Sequence, residues 1–140
     1  MAPPAEYDLP LRPRRLRRTE NIRRMARETR LSTDHLIAPL FVMDGENDRE
    51  EVSSMPDTYR HTIDRLVDEA ETLDALGVPA VALFPAIPDA LKTSDAQHAL
   101  DPDHLYPNAV RALNEAVPDL MVITDTALDP YNADGHDGIV

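Results

Sequence analysis

Thr62-Ile-Asp-Arg-Leu-Val-Asp-Glu-Ala-Glu-Thr-Leu-Asp-Ala-Leu-Gly77-Val-Pro-Ala-Val-Ala-Leu-Phe84 decides the architecture. Its first part carries Ile63, Leu66, Val67, Ala70, Leu73 and Leu76 at helical spacing, with acids between them. Thr62 is a candidate N-cap and Gly77 a candidate C′ residue. Residues 78–84 are then apolar without alternation, at strand length. A strand with no polar face is one covered on both sides, which is the mark of a parallel sheet under helices.

The same alternation extends in both directions. Leu36-Ile-Ala-Pro-Leu-Phe-Val42 is a second apolar run, which Pro39 should make irregular. Leu120-Met-Val-Ile-Thr124 is a third. Between the second and third strands, residues 103–116 predict a helix with Leu105, Ala109, Ala112 and Ala116 on its apolar side and Pro118 as its stop. Residues 44–61 read as polar turns. The order is β-α-β-α-β, an α/β class that fits a doubly wound sheet or the start of a barrel equally. Three parallel strands with an uncapped edge make a poor free-standing domain, so the chain is expected to be a fragment of a larger fold.

Upstream, residues 1–18 hold four prolines and the run Arg12, Arg14, Arg15, Arg17, Arg18, a composition that cannot bury a face. An extended arm is expected there, then a helix over 19–30 with Ile22, Met25 and Ala26 on one side. The domain reading is 1–30 as arm and short helix, and 31–140 as three βα units.

Charge divides along the same line. Residues 1–30 carry +5, residues 31–140 carry −17, and the chain carries −12. Lys92 is the one lysine. An acidic surface nearly devoid of lysine points to adaptation to high salt, where screening weakens self-repulsion. Five arginines within seven positions would suit phosphate, but no aromatic residues interleave and the acidic remainder would repel a polyanion. No nucleic-acid partner is expected; an arm docked on an acidic partner subunit accounts for both halves.

Absent residues exclude whole classes of chemistry. With no cysteine there is no disulfide, thiolate metal site or cysteine nucleophile. No apolar run approaches the roughly 20 residues of a membrane span, and no secretory leader is visible, so a cytoplasmic protein is expected. There is no GxGxxG or GxxxxGK loop and no serine elbow.

The densest polar stretch is Asp125-Thr-Ala-Leu-Asp129-Pro-Tyr-Asn-Ala-Asp134-Gly-His-Asp137-Gly, at the C-terminal end of the third strand. In parallel α/β folds, sites form at that edge. Asp125 would stand at the strand mouth. Asp129, Asp134, His136 and Asp137 could gather round a hard cation such as Mg²⁺; equally, they could be a solvated Asp/Gly turn. An EF-hand does not fit, because Pro130 would occupy its first position.

Several segments in one order resemble the porphobilinogen synthase (5-aminolevulinic acid dehydratase) family. They are residues 122–131 and 135–140, the arm Arg12-Pro-Arg-Arg-Leu-Arg-Arg18, residues 36–42, Ser54-Met-Pro56 with Tyr59-Arg60, residues 77–85, and Ile87-Pro88 with Leu91-Lys92. The resemblance implies a TIM barrel, of which this chain would be about the first three βα units. It also implies an N-terminal arm that embraces a neighbour in a homo-octamer, and condensation of two 5-aminolevulinate molecules to porphobilinogen. Two Schiff-base lysines would lie beyond residue 140. Asp125 matches the family's active-site Asp near the substrate amine. Ala127, Asp129 and Asp137 stand where zinc-dependent members carry three cysteines. Carboxylates suit magnesium rather than zinc, so the resemblance implies the aspartate-type branch, with Asp129 and Asp137 as metal candidates and no catalytic zinc. Asp134 replaces a family His. Lys92 matches a non-catalytic lysine, and in a polar loop nothing desolvates its amine. The alternative is a small acidic module that binds a divalent cation without catalysis.

Overall fold

A computed structural model describes residues 14–138 of the chain, which divides into two units, Met1–Leu31 and Ser32–Val140. Arg12 and most of the expected arm lie outside the described residues. In the first unit, Arg15–Arg17 form a 3₁₀ turn rather than extended chain. The Arg17 amide donates to Arg14 O, and Arg23 Nε reaches back to Arg17 O at 3.1 Å. Helix α1, Glu20–Ala26, starts at Thr19, whose hydroxyl accepts from Ile22 N at 3.2 Å. It stops four residues short of the expected Arg30, because the apolar stripe ends at Ala26 and Arg27 turns extended. None of its residues is buried.

The second unit is a mixed α/β layer. Its strands are β1 (Ile37–Val42), β2 (Arg49–Glu51), β3 (Tyr59–His61), β4 (Ala80–Pro85) and β5 (Met121–Thr124), in the order β2-β3-β1-β4-β5. The three apolar runs are the parallel strands β1, β4 and β5. Pro39 does not disturb β1: pairing with β3 begins only at Phe41, so Pro39 sits where β1 has a single neighbour. The polar stretch 44–61, read as turns, contributes the antiparallel pair β2–β3. Charged residues hide that strand signal. Cross-strand pairs supply the cohesion instead: Glu50 and Arg60 are directly opposite and 2.9 Å apart, and the Arg49 guanidinium lies over the Tyr59 ring.

Helix α2, Ile63–Ala75, buries Leu66 and Ala70, with Ile63, Val67 and Leu73 half-buried beside them. Its exposed face carries Asp64, Asp68, Glu71 and Asp74. Gly77, at φ +78°, closes it: Gly77 N donates to Asp74 O and Val78 N to Leu73 O. This is the pairing that lets glycine end a helix and send the chain directly into β4. Thr62 occupies the N-cap position of α2 as expected, but its side chain makes no capping hydrogen bond. Its hydroxyl is exchanged with the backbone of Asp48, tying the helix start to the loop before β2. Helix α3, Leu105–Ala116, ends as Pro118 requires, but its buried set is Leu105, Tyr106, Ala109 and Leu113. Ala116, expected inward, is exposed.

Both helices pack on one sheet face, over Ala38, Leu40, Val42, Val81, Leu83 and Val122. The opposite face carries Ile37, Phe41, Phe84, Met121 and Ile123, which the register aligns across three strands. Ile37 and Met121 there are more than half exposed. Among the described residues, no helix is long and apolar enough to cross a membrane.

Candidate functional site

The parallel strands deliver Met43, Pro85 and Asp125 to one edge of the sheet, since Val42 pairs with Pro85 and Leu83 with Thr124. Asp125 is the first residue past β5. Its amide donates to the Tyr106 hydroxyl at 2.9 Å, and that hydroxyl donates to Leu83 O at 2.6 Å. Asp125 Oδ1 accepts from Ala127 N at 2.9 Å, which begins the following turn. The residue is exposed, and its carboxylate retains acceptor capacity for a cationic group.

The loop then folds back on itself. Asp137 Oδ1 accepts from Leu128 N at 2.9 Å and Asp129 N at 3.1 Å, closing the start of the 3₁₀ turn Asp129–Tyr131. Tyr131 and Asn132 are buried. Tyr131 OH meets His104 Nε2 at 3.0 Å, and Asn132 Nδ2 donates to Ser94 O at 2.9 Å. Backbone bonds between Thr93 and residues 131 and 133 complete the clasp. Burial pushes the Tyr131 phenol up to about 12, with the nearby Tyr106 adding to it.

The structure thus places Asp125, Asp129 and Asp137 on one loop but gives them different tasks. Asp137 serves as a backbone cap. Asp129 is exposed, and Asp134 and His136 lie on the solvent side. Among the described residues, no three His, Asp or Glu side chains gather as a cation cage. Asp129 and Asp137 carry hard oxygen donors. They supply nothing like a thiolate set.

An open depression of about 540 Å³ lies at the same edge, bounded by Asp44, Arg60, Ile87, Lys92 and Pro130. Lys92 Nζ is 2.8 Å from Asp89 Oδ1, so its amine is engaged in an ion pair. That hydrogen bond, with the lysine charge, holds the Asp89 carboxyl below its usual range. Sequence reasoning missed Tyr106 and His104, which secure this loop from the first turn of α3. Neither stands in a polar motif, and Tyr106 lies outside the apolar side expected of Leu105, Ala109, Ala112 and Ala116.

The model of the delta-aminolevulinic acid dehydratase family matches residues 10–140. The chain is 45% identical over 133 residues to a delta-aminolevulinic acid dehydratase of Bradyrhizobium diazoefficiens, covering 95% of this chain and 38% of that protein. It is 44% identical over 128 residues to one of Chlamydia pneumoniae, covering 91% and 39%. It superposes with a TM-score of 0.84 and 39% identity on the delta-aminolevulinic acid dehydratase (porphobilinogen synthase) of Toxoplasma gondii, solved in complex with the reaction product porphobilinogen. That alignment covers 95% of this chain and 38% of the other. The chain therefore spans well under half the length of these relatives.

Proposed function

The chain belongs to the delta-aminolevulinic acid dehydratase family, and from that premise we propose that it is the N-terminal portion of a porphobilinogen synthase. The whole enzyme would be a hydro-lyase that condenses two molecules of 5-aminolevulinate to porphobilinogen in tetrapyrrole and haem synthesis. The observation that carries this is the family match across residues 10–140, which runs through the entire second unit. The product bound by the Toxoplasma neighbour supports a small-molecule substrate of this kind.

The fold we propose is the opening of a TIM barrel. Its support is the second sheet face, where Ile37, Phe41, Phe84, Met121 and Ile123 would form barrel interior. Asp125, held at the strand mouth, is the residue assigned to the substrate amine. Asp129 and Asp137 replace a zinc cage with charge and backbone hydrogen bonds. They are also the carboxylates a hydrated Mg²⁺ would meet; no chemical step is assigned to it. Imine formation is assigned to lysines outside these 140 residues. The basic arm is assigned to assembly of a homo-oligomer, an octamer by resemblance, in the cytoplasm. The acidic face of α2 supports adaptation to concentrated salt.

The test is to express the full-length protein that carries this segment and assay porphobilinogen colorimetrically after adding 5-aminolevulinate. Product formation is expected. A folded full-length protein that forms none would favour the acidic cation-binding module instead.

A further inference from the structure

Asp125 is fixed at two points. Its carboxylate is held by Ala127 N within the loop. Its backbone is held from outside, by a phenol that belongs to α3. Tyr106 lies nine-tenths buried in the first turn of that helix, with its hydroxyl lodged between the ends of two adjacent strands. The hydroxyl donates to Leu83 O near the end of β4 and accepts from Asp125 N just beyond β5. A phenol has one donor and can accept as well, so both sides are used with the correct polarity. The phenol is neutral in this role; burial raises its pKa, the hydrogen bond from the Asp125 amide opposes this, and the Asp125 charge adds to it. Two residues earlier, His104 holds Tyr131 of the same loop. The start of α3 thus supports the loop from outside at residues 125 and 131, while Thr93 and Ser94 hold its far end.

We infer that Tyr106 is a positioning residue, whose hydroxyl sets the location of Asp125 relative to the end of β4 and hence to the substrate. The inference rests on the assignment of Asp125 in the proposed synthase. A phenylalanine at 106 would fill the same space but leave Leu83 O and Asp125 N without this partner. The catalytic carboxylate would then shift by a fraction of an ångström. Well-oriented groups are sensitive to such errors, a ~1 Å displacement costing about 100-fold.

The experiment uses the full-length enzyme carrying this segment in four forms: unaltered, Tyr106→Phe, Asp125→Asn and the double variant. Turnover is normalised to folded protein by circular dichroism. Tyr106→Phe is expected to lower kcat by about tenfold with little change in KM, consistent with misplacement of a reacting group. In the Asp125→Asn background the same change should have little further effect, because a residue acting through Asp125 has nothing left to position. If Tyr106→Phe lowers kcat equally in both backgrounds, or leaves it unchanged while Asp125→Asn is damaging, the positioning role is overturned and the functional reading stands. If Asp125→Asn retains full turnover, the assignment of Asp125 falls and the positioning role falls with it.

Discussion

The hydroxyl of Tyr131 and Nε2 of His104 meet at 3.0 Å in a buried hydrogen bond between residues 27 apart in sequence. The direction of the bond follows from the second ring nitrogen. His104 Nδ1 faces the carbonyl of Asp101, which can only accept, so Nδ1 carries the proton and Nε2 takes the one from tyrosine. His98 packs edge-on against His104, with Tyr131 beside both, which leaves the pair little room to rearrange.

Tyr131→Phe should therefore cost about 1–3 kcal/mol, the penalty for leaving a buried acceptor unpaired. The bond also has a pH signature. The folded phenol titrates at about 12 against an ordinary 10, so folding favours the protonated form. Its contribution is intact below pH ~10 and is lost as pH rises through ~12. Alkaline unfolding followed by phenolate absorbance should show Tyr131 as the latest-ionising tyrosine, beyond the also raised Tyr106, and that latest component should vanish in Tyr131→Phe.

The parallel strands and both long helices were legible because period and run length encode them. The Schellman closure at Gly77 was legible from one glycine placed after an apolar stripe. The pair β2–β3 was not, because Arg49-Glu-Glu51 and Tyr59-Arg-His61 lack alternating apolar residues and cohere through long-range charge and cation–π pairs. The site was legible only in part. The position of Asp125 just past β5 was legible from its place at the end of an apolar run. The role of Asp137 as a cap on Leu128 and Asp129 was not, since a loop that folds back nine residues leaves no spacing signal.

His61 should make the chain sensitive to acid. It is buried on β3 with Nδ1 unpartnered among the described residues, and burial holds its pKa below 6.5; Glu69 opposes this and Arg49 adds to it. The folded state thus prefers the neutral ring. Stability is complete above pH ~6.5 and falls as pH drops below it, because the unfolded chain binds the extra proton first. Thermal unfolding between about pH 7 and 5 should show a declining midpoint. His61→Phe should flatten that decline; an unchanged slope would assign it to other groups.

Asp137 allows its two candidate roles to be separated. Asn presents a carbonyl oxygen in the same place, so Asp137→Asn should keep the caps on Leu128 and Asp129, whereas Asp137→Ala should lose about 1 kcal/mol. In the full-length enzyme, activity should also survive a zinc-selective chelator, since positions 127, 129 and 137 offer no thiolate. Complete loss that zinc restores would refute this reading, and equal damage from Asn and Ala would favour a ligand role for the carboxylate.

The 140 residues hold one lysine, and it is paired with Asp89. Activation of a ketone as an imine needs an unprotonated amine. The isolated chain should therefore form no porphobilinogen. In the full-length enzyme Lys92→Arg should leave turnover near its starting value, because arginine preserves the ion pair. Product from the isolated chain, or abolition of turnover by Lys92→Arg, would show that Lys92 is used in the chemistry.

Asp125 and Asp134 offer the sharpest comparison within the loop. Asp125 follows directly on β5, and its amide is tied through Tyr106 to the end of β4. Asp134 lies in the exposed return of the loop, where its amide donates to Asn132 Oδ1 at 2.7 Å. A carboxylate that must meet the substrate amine needs the first kind of support. In the full-length enzyme Asp125→Ala should lower turnover by about 100-fold or more, as loss of a positioned acid or base does. Asp134→Ala should cost far less, because its backbone bond to Asn132 survives the substitution. The two variants can be assayed at equal salt, with circular dichroism verifying that both fold. Equal damage from both would mean that the strand-end position confers no advantage, and that the loop carboxylates act as one cooperating set.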